Sequence, residues 1–202
     1  MPKQTFFNLP EKKRQTLMRA VEMEFSRVPM YEASIANIVK AADIPRGSFY
    51  QYFADKEDAF FFLLDKLSSE RKDLFVSLLK QHDGDLVESI AAFFQTVITE
   101  GENLDFMKNA FLNMTHEIED SIARIFSDRK DNQEFREVSA LIDKQKLNIT
   151  DETELFHVIQ ILTSVMVHNF VETFARNLSD KEAMDHLSIE LNLLKAGVYK
   201  HE

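Results

Sequence analysis

The chain has 202 residues and a formal net charge of −10, long enough for one large domain or for a small one joined to a larger one. Four glycines and four prolines, against roughly 7% and 5% in average usage, argue against a fold of many tight turns and for long helices. The lack of cysteine excludes a disulfide framework, and the negative charge excludes a protein that coats nucleic acid over its whole surface.

The charge is uneven: residues 1–56 hold nine Lys or Arg against six Asp or Glu, a balance of +3, and the remainder carries −13. A mildly basic head on an acidic body suits a protein that meets phosphate at one end only. Met1-Pro2-Lys3-Gln4 lead into no apolar run, so no secretory signal is expected and the cytoplasm is the expected compartment. The Asn-x-Ser/Thr triplets at Asn113, Asn148 and Asn177 are therefore read as chance.

In chain order, Leu17, Val21, Phe25 and Val28 recur at helical spacing, with Ala20 and Glu24 between them, and predict an amphipathic helix from about Pro10 to near Pro29. Ser34 is the expected N-cap of a short helix through Ala41 whose buried side is Ile35, Ile38 and Val39. Asp43 falls where a left-handed turn is needed, and Pro45, with its fixed φ, opens a third helix to about Phe53. From Asp55, the expected N-cap, a long helix should run past Leu79 as the one direct covalent link from head to body, its Phe60-Phe61-Phe62-Leu63-Leu64 run packing against both. Breaks at Gly84, Gly101, 130–132 and 148–150 then divide the body into about five further helices. Between Leu155 and Ala175 apolar residues occupy nearly every side, which predicts a helix buried all round. His157, Gln160, His168, Asn169 and Glu172 interrupt it too often for the ~18 to 20 apolar residues of a membrane span. Met184, Leu187, Leu191, Leu194 and Val198 recur with the three-four spacing of a packing seam. With Leu162 and Val165 of the preceding helix they form the expected dimerisation surface.

The run Ser34-Ile35-Ala36-Asn37-Ile38-Val39-Lys40-Ala41-Ala42-Asp43-Ile44-Pro45-Arg46-Gly47-Ser48-Phe49-Tyr50-Gln51-Tyr52-Phe53-Ala54-Asp55-Lys56-Glu57-Asp58 resembles the DNA-binding signature of TetR-type (AcrR-type) regulators. The resemblance implies an all-α fold, with a three-helix helix-turn-helix domain over 1–56 and a helical effector-binding and dimerisation domain over 57–202. It implies a homodimer, whose last two helices pair into a four-helix bundle, acting as a repressor that a small, largely apolar effector releases from a palindromic operator. Carried over residue by residue, Arg46 and Gln51 are the base readers, and Ser34, Ser48, Tyr50, Tyr52 and Lys56 contact phosphates or groove walls. The side chains fit these roles: Arg and Gln can read guanine and adenine edges, and hydroxyls can donate to phosphate. Gly47, lacking a side chain, lets the helix backbone approach a phosphate. Phe49 and Phe53 are expected in the core. Packing is an equal reading of Tyr50 and Tyr52, and Lys12, Lys13 and Arg14 are either a solvated helix end or further phosphate contacts. Two positions depart from the family pattern: Asp43 replaces the usual turn glycine, and Pro45 the usual small hydroxyl residue.

Eighteen phenylalanines and eight methionines, with no tryptophan, form adaptable apolar bulk that lies mostly in the body. Phe93, Phe106, Met107, Phe111, Met114, Met166 and Phe170, together with Phe94 and Phe126, are candidates to line an apolar cavity. His116, His168 or Asn169 would orient a ligand's polar group. Core packing is the competing reading of each. No cofactor or metal is expected and no enzymatic activity. His116-Glu117-Ile118-Glu119-Asp120 falls one residue short of His-Glu-x-x-His and reads as a wet acidic helix face, and the glycines are too isolated for a phosphate-cradling loop. The rivals to a regulator are a small helical enzyme, which a metal assay would detect, and a helical dimerisation adaptor, which would leave Arg46, Gly47, Gln51 and Lys56 without a use.

Overall fold

The structure, a computed structural model, describes residues 1–99, 103–123 and 133–198. The expected breaks at Gly101 and 130–132 lie outside these residues, as do Phe126 and the side chain of Val198. The regular elements among the described residues are all helices, with α1 Gln4–Phe7, α2 Glu11–Arg27, α3 Ile35–Ala41, α4 Arg46–Tyr52, α5 Lys56–Gln81 and α6 Leu86–Thr99. These are followed by α7 Leu104–Leu112, α8 His116–Ala123, α9 Gln133–Leu141, α10 Glu152–Arg176 and α11 Asp180–Val198. The chain divides into two compact units, Met1–Leu67 with Asn103–Ser121, and Ser68–Glu102 with Ile122–Glu202.

In the first unit α2 buries Leu17, Ala20, Val21 and Phe25 and packs on α3 and α7, while α3 packs on α4 and α4 on α1. Asp43 is left-handed at φ 52°, and the amides of Asp43 and Ile44 reach back to the carbonyls of Lys40 and Val39 at 3.3 and 3.1 Å. This pair of bonds closes the end of α3 as glycine usually does, with an aspartate tolerating the conformation instead. Pro45 stands at the N-cap of α4. Asp55 Oδ1 accepts the Asp58 amide at 2.7 Å, the N-cap that starts α5, and Asp58 Oδ2 accepts the amide of the preceding Ala54 at 3.0 Å. Phe60 meets Phe25 edge-to-face at a centroid distance of 5.1 Å and Phe106 at a tilt at 5.3 Å, so α7 contributes to the same core as α2 and α5.

That placement changes one expectation. Asn109 of α7 donates to the Phe25 and Ser26 carbonyls at 2.9 and 3.0 Å, satisfying two of the last carbonyls of α2. The long helix is therefore not the one covalent link: the chain crosses between units after Leu67, before Asn103 and after Ser121. The expected functional boundary at 56/57 falls inside the first unit, at the start of α5. All five residues of the Phe60 to Leu64 run belong to that unit as well.

In the second unit α5 ends at a turn with Asp83 and Gly84 at φ 52° and 75°. A Cβ on Gly84 would lie 2.5 Å from the Leu141 carbonyl oxygen, and the Gly84 carbonyl accepts the Asp143 amide at 2.9 Å, so only glycine fits. Asp151 caps α10 by accepting the Thr153 and Glu154 amides at 2.7 and 2.9 Å. Ser179 and Glu182 cap α11 reciprocally. Six helices follow α5 among the described residues, not about five, because Asn113–Thr115 separates α7 from α8, where Thr115 Oγ1 accepts the Ile118 amide at 3.3 Å. The helix expected to be buried all round, α10, buries Leu155, Ile159, Leu162, Met166 and Phe170 but leaves Ile161 48% exposed. It packs on α6 and α11, and His157, Gln160, Ser164 and His168 are exposed along with Ile161.

Candidate nucleic-acid interface

Helix α4 has only seven residues, and its orientation is set by its inward side. Phe49 and Phe53 are fully buried, 5.4 Å apart, with Phe53 also 5.2 Å from Phe6. At 100° per residue this turns Arg46, Gly47, Tyr50 and Gln51 onto one outward arc, and all four are exposed. Tyr50 rests edge-on against Phe49 with 41% of its surface open. Gly47 meets nothing within 4 Å of a Cβ position, so no packing within the chain demands a glycine there. Ser48 and Tyr52 lie half-buried on the flanks.

One of the expected contacts, Lys56, is already engaged within the chain, and Ser34 does not cap as expected. Lys56 Nζ donates to the carbonyls of Tyr31 and Ala33 at 2.6 and 3.2 Å, tying the start of α5 to the α2–α3 turn and leaving one of its three donors. Ser34 stands at the N-cap of α3, but its hydroxyl makes no capping bond. Its amide instead donates to Glu24 Oε1 at 2.7 Å. Of the second group, Arg14 is paired with Glu11 while Lys12 and Lys13 are exposed.

Glu24 was visible in the sequence only as an acid inside the apolar stripe of α2, which is the signal of a buried carboxylate with partners. It is 5% exposed and accepts from Arg27 Nε and Nη2, the Ser34 amide and Asn37 Nδ2 at 2.7 to 3.2 Å. Burial pushes its carboxyl up, but the bonds from Arg27, Ser34 and Asn37 and the Arg27 charge together hold it below the usual 4.5. The end of α2 is thereby locked to the start of α3.

The residues expected to meet an effector are divided between the units. Phe106, Met107 and Phe111 are buried in the first, where Met114 is half-buried and the His116 side chain 86% exposed beside Asp120. Phe93, Met166, Asn169 and Phe170 are buried in the second, with Phe170 4.6 Å from Phe94 and Phe93 5.9 Å from Phe75. Asn169 spends its amide on the Val165 carbonyl and Glu190 at 2.9 and 2.5 Å. Among the described residues no cluster of three His, Asp or Glu side chains is arranged to hold a metal ion.

The expected dimer residues also separate. Leu162, Leu187 and Leu191 are at most 3% exposed within the protomer, whereas Val165, Met184 and Leu194 are half-buried. Val165 and Leu194 line an open groove of about 420 Å3 with Ser164, His168, Glu190 and Leu193, next to one of about 240 Å3 reached by Ile189 and His186. Ile161, Ile189 and Leu193, none of them expected, are the large apolar side chains that α10 and α11 expose.

Residues 17–61 match the family model described as bacterial regulatory proteins of the tetR family, and residues 85–198 match that of the tetracyclin repressor-like C-terminal domain. Among solved structures, the chain is similar to a TetR family transcriptional regulator from Chloroflexus aurantiacus at 22% identity, covering 100% of both chains with a TM-score of 0.55. It is similar to SmeT, the repressor of the Stenotrophomonas maltophilia multidrug efflux pump SmeDEF, at 16% identity over 93% of this chain and 90% of that one, with a TM-score of 0.67. A third relative in fold is the regulator FadR from Bacillus subtilis in complex with stearoyl-CoA, at 14% identity over 92% and 99%, with a TM-score of 0.63. No curated protein matches the chain.

Proposed function

The chain belongs to the tetR family of bacterial regulatory proteins, and on that premise we propose that it is a homodimeric repressor that reads a palindromic operator through α4 and is released by a small, largely apolar effector. The carrying observation is the outward arc of Arg46, Gly47, Tyr50 and Gln51 on a helix fastened from behind by Phe49 and Phe53. Arg46 presents a fork of donors and Gln51 a donor beside an acceptor, both suited to base edges. Gly47 keeps the helix surface low against a phosphate, and Ser48, Tyr50, Tyr52, Ser34 and the remaining donor of Lys56 supply backbone contacts. Replacing Arg46 or Gln51 with Ala is expected to cost about 1–3 kcal/mol on the preferred sequence and to relax preference at particular positions, whereas Tyr50→Phe weakens binding alike on all sequences. Binding to a panel of single-base operator variants checks this, and uniform profiles from Arg46→Ala and Gln51→Ala as well as from Tyr50→Phe would remove the assignment.

A second copy of the chain is the occupant proposed for the exposed Ile161, Ile189 and Leu193 and the half-buried Val165 and Leu194 beside them on α10 and α11, and it would bring two recognition helices to two half-sites. By length and composition α10 is long and apolar enough to cross a membrane. Its position within the segment matched to the tetracyclin repressor-like C-terminal domain supports packing against protein instead. The cytoplasm, where operator DNA is reached, is the proposed compartment.

For the effector, the aromatic and methionine bulk around Phe93, Met166 and Phe170 supports an apolar ligand, and stearoyl-CoA on the Bacillus subtilis regulator supports a long acyl chain as the first probe. Because α5 and the segment Asn103–Ser121 both carry the chain between units, a change in the second unit has several covalent routes to the first. Reciprocity requires operator to weaken effector binding by the factor with which effector weakens operator binding, roughly 5- to 150-fold. Titrating stearoyl-CoA with and without saturating operator measures the factor. Equal affinities would mean that the bound acyl chain does not control the head.

A further inference from the structure

A seven-residue helix is too short to hold itself, and the last carbonyls of any helix lack partners within it. In α4 the Phe49 carbonyl takes the Phe53 amide at 2.9 Å, which leaves those of Tyr50, Gln51 and Tyr52. All three are met from the same short stretch at the other end of the unit's sequence. Lys3 Nζ donates to the Tyr50 carbonyl at 2.7 Å, the Thr5 hydroxyl donates to that of Gln51, and the Lys3 amide donates to that of Tyr52 at 2.8 Å. The stretch is itself anchored. Phe6 is 1% exposed, with ring centroids 5.2 Å from both Phe53 and Phe62.

The geometry points to Lys3, Thr5 and Phe6 as positioning residues that cap the recognition helix from outside and so set how sharply it discriminates between DNA sequences. This rests on the reading of α4 as the base-reading helix. The Lys3 ammonium also places a positive charge at the negative end of α4, reinforcing the cap. Without the three donors the last turn of α4, which carries Tyr50 and Gln51 on its outward arc, would fray. A frayed turn can still approach phosphates, which lie all along the duplex, but cannot hold a side chain against one base edge.

The test begins by selecting a duplex from a random-sequence library with the full-length wild-type protein. The variant Lys3→Met/Thr5→Val is then measured against that duplex and against a mixed-sequence duplex of equal length. Affinity for the selected duplex is expected to fall about tenfold or more, and affinity for the mixed duplex less than about twofold, because positioning governs base contacts and not phosphate attraction. Amide exchange at residues 50–53 should speed up about tenfold while α3 is unchanged, since only the capped turn loses bonds. Lys3→Arg, which keeps the donor and charge, should restore discrimination. If the double variant does not fold, Thr5→Val alone, which removes one donor and keeps the volume, should show the same split in smaller measure. Equal losses on both duplexes would make Lys3 a phosphate contact and overturn the proposal, as would unchanged exchange at 50–53. A wild-type protein that enriches no sequence would instead refute α4 as the base reader and the discrimination claim with it, while the exchange measurement still decides whether the cap exists.

Discussion

Leu193→Asp is expected to give a folded protomer that sediments as a monomer and no longer holds operator at concentrations where the wild type does. Leu193 is 73% exposed and borders the groove shared by α10 and α11, so a carboxylate there costs the isolated protomer little. Across the twofold axis of the proposed dimer the same charge would appear twice in an apolar seam. A central apolar anchor is worth about 2 kcal/mol, so two copies weaken dimerisation by roughly a thousandfold. Leu191→Asp, two residues earlier, should behave differently. Leu191 is 3% exposed against the protomer's own helices, so the carboxylate has no water and no partner, and the cost of lost packing plus a buried charge exceeds about 4 kcal/mol. Misfolding, not a clean monomer, is the expected result. Sedimentation and circular dichroism of both variants separate the cases: a dimeric Leu193→Asp, or a folded monomeric Leu191→Asp, would mean the seam lies elsewhere on α11.

Glu24→Ala should lower the stability of the helix-turn-helix unit by about 1–3 kcal/mol, because the half-buried Ser34 amide loses a charged acceptor that the surrounding structure does not replace. The contribution depends on pH in a definite direction. The folded carboxyl sits below its ordinary 4.5, so its stabilisation is complete above that value and is lost as pH falls through the lower folded one. Glu24→Gln, which cannot ionise, should therefore be less stable than wild type near neutral pH and converge on it in acid. Urea midpoints followed downward from neutrality through the carboxylate range provide the measurement. A gap that stays constant down to about pH 3 would show that the charge of Glu24 contributes nothing to the lock.

Much of the head was legible because its signals are local. The Asp43 turn, the Pro45 start and the Asp55 cap each concern atoms a few residues apart, whose geometry depends on φ preferences and short side-chain bonds. The outward arc of α4 follows from helical periodicity once Phe49 and Phe53 are placed inside. Where capping chemistry was less conspicuous, at Asn113–Thr115, a helix break went unread.

The sequence by itself determined the helical class, the order of the recognition elements and which side chains α4 presents. Only the tertiary structure decided which partners those helices take. Leu187 and Leu191 recur on α11 with the same spacing as Ile189 and Leu193, and periodicity cannot say which stripe meets α6 and α10 and which stays exposed. Likewise nothing local to α7 assigns Phe106 and Asn109 to the core of the first unit, nothing in Glu24 names Ser34 and Asn37 as its donors, and nothing near Gln51 points to Thr5. Those pairings join residues from ten to eighty-four positions apart, and they form only when burial of the surrounding apolar surface has offset the entropy of closing the loops between them.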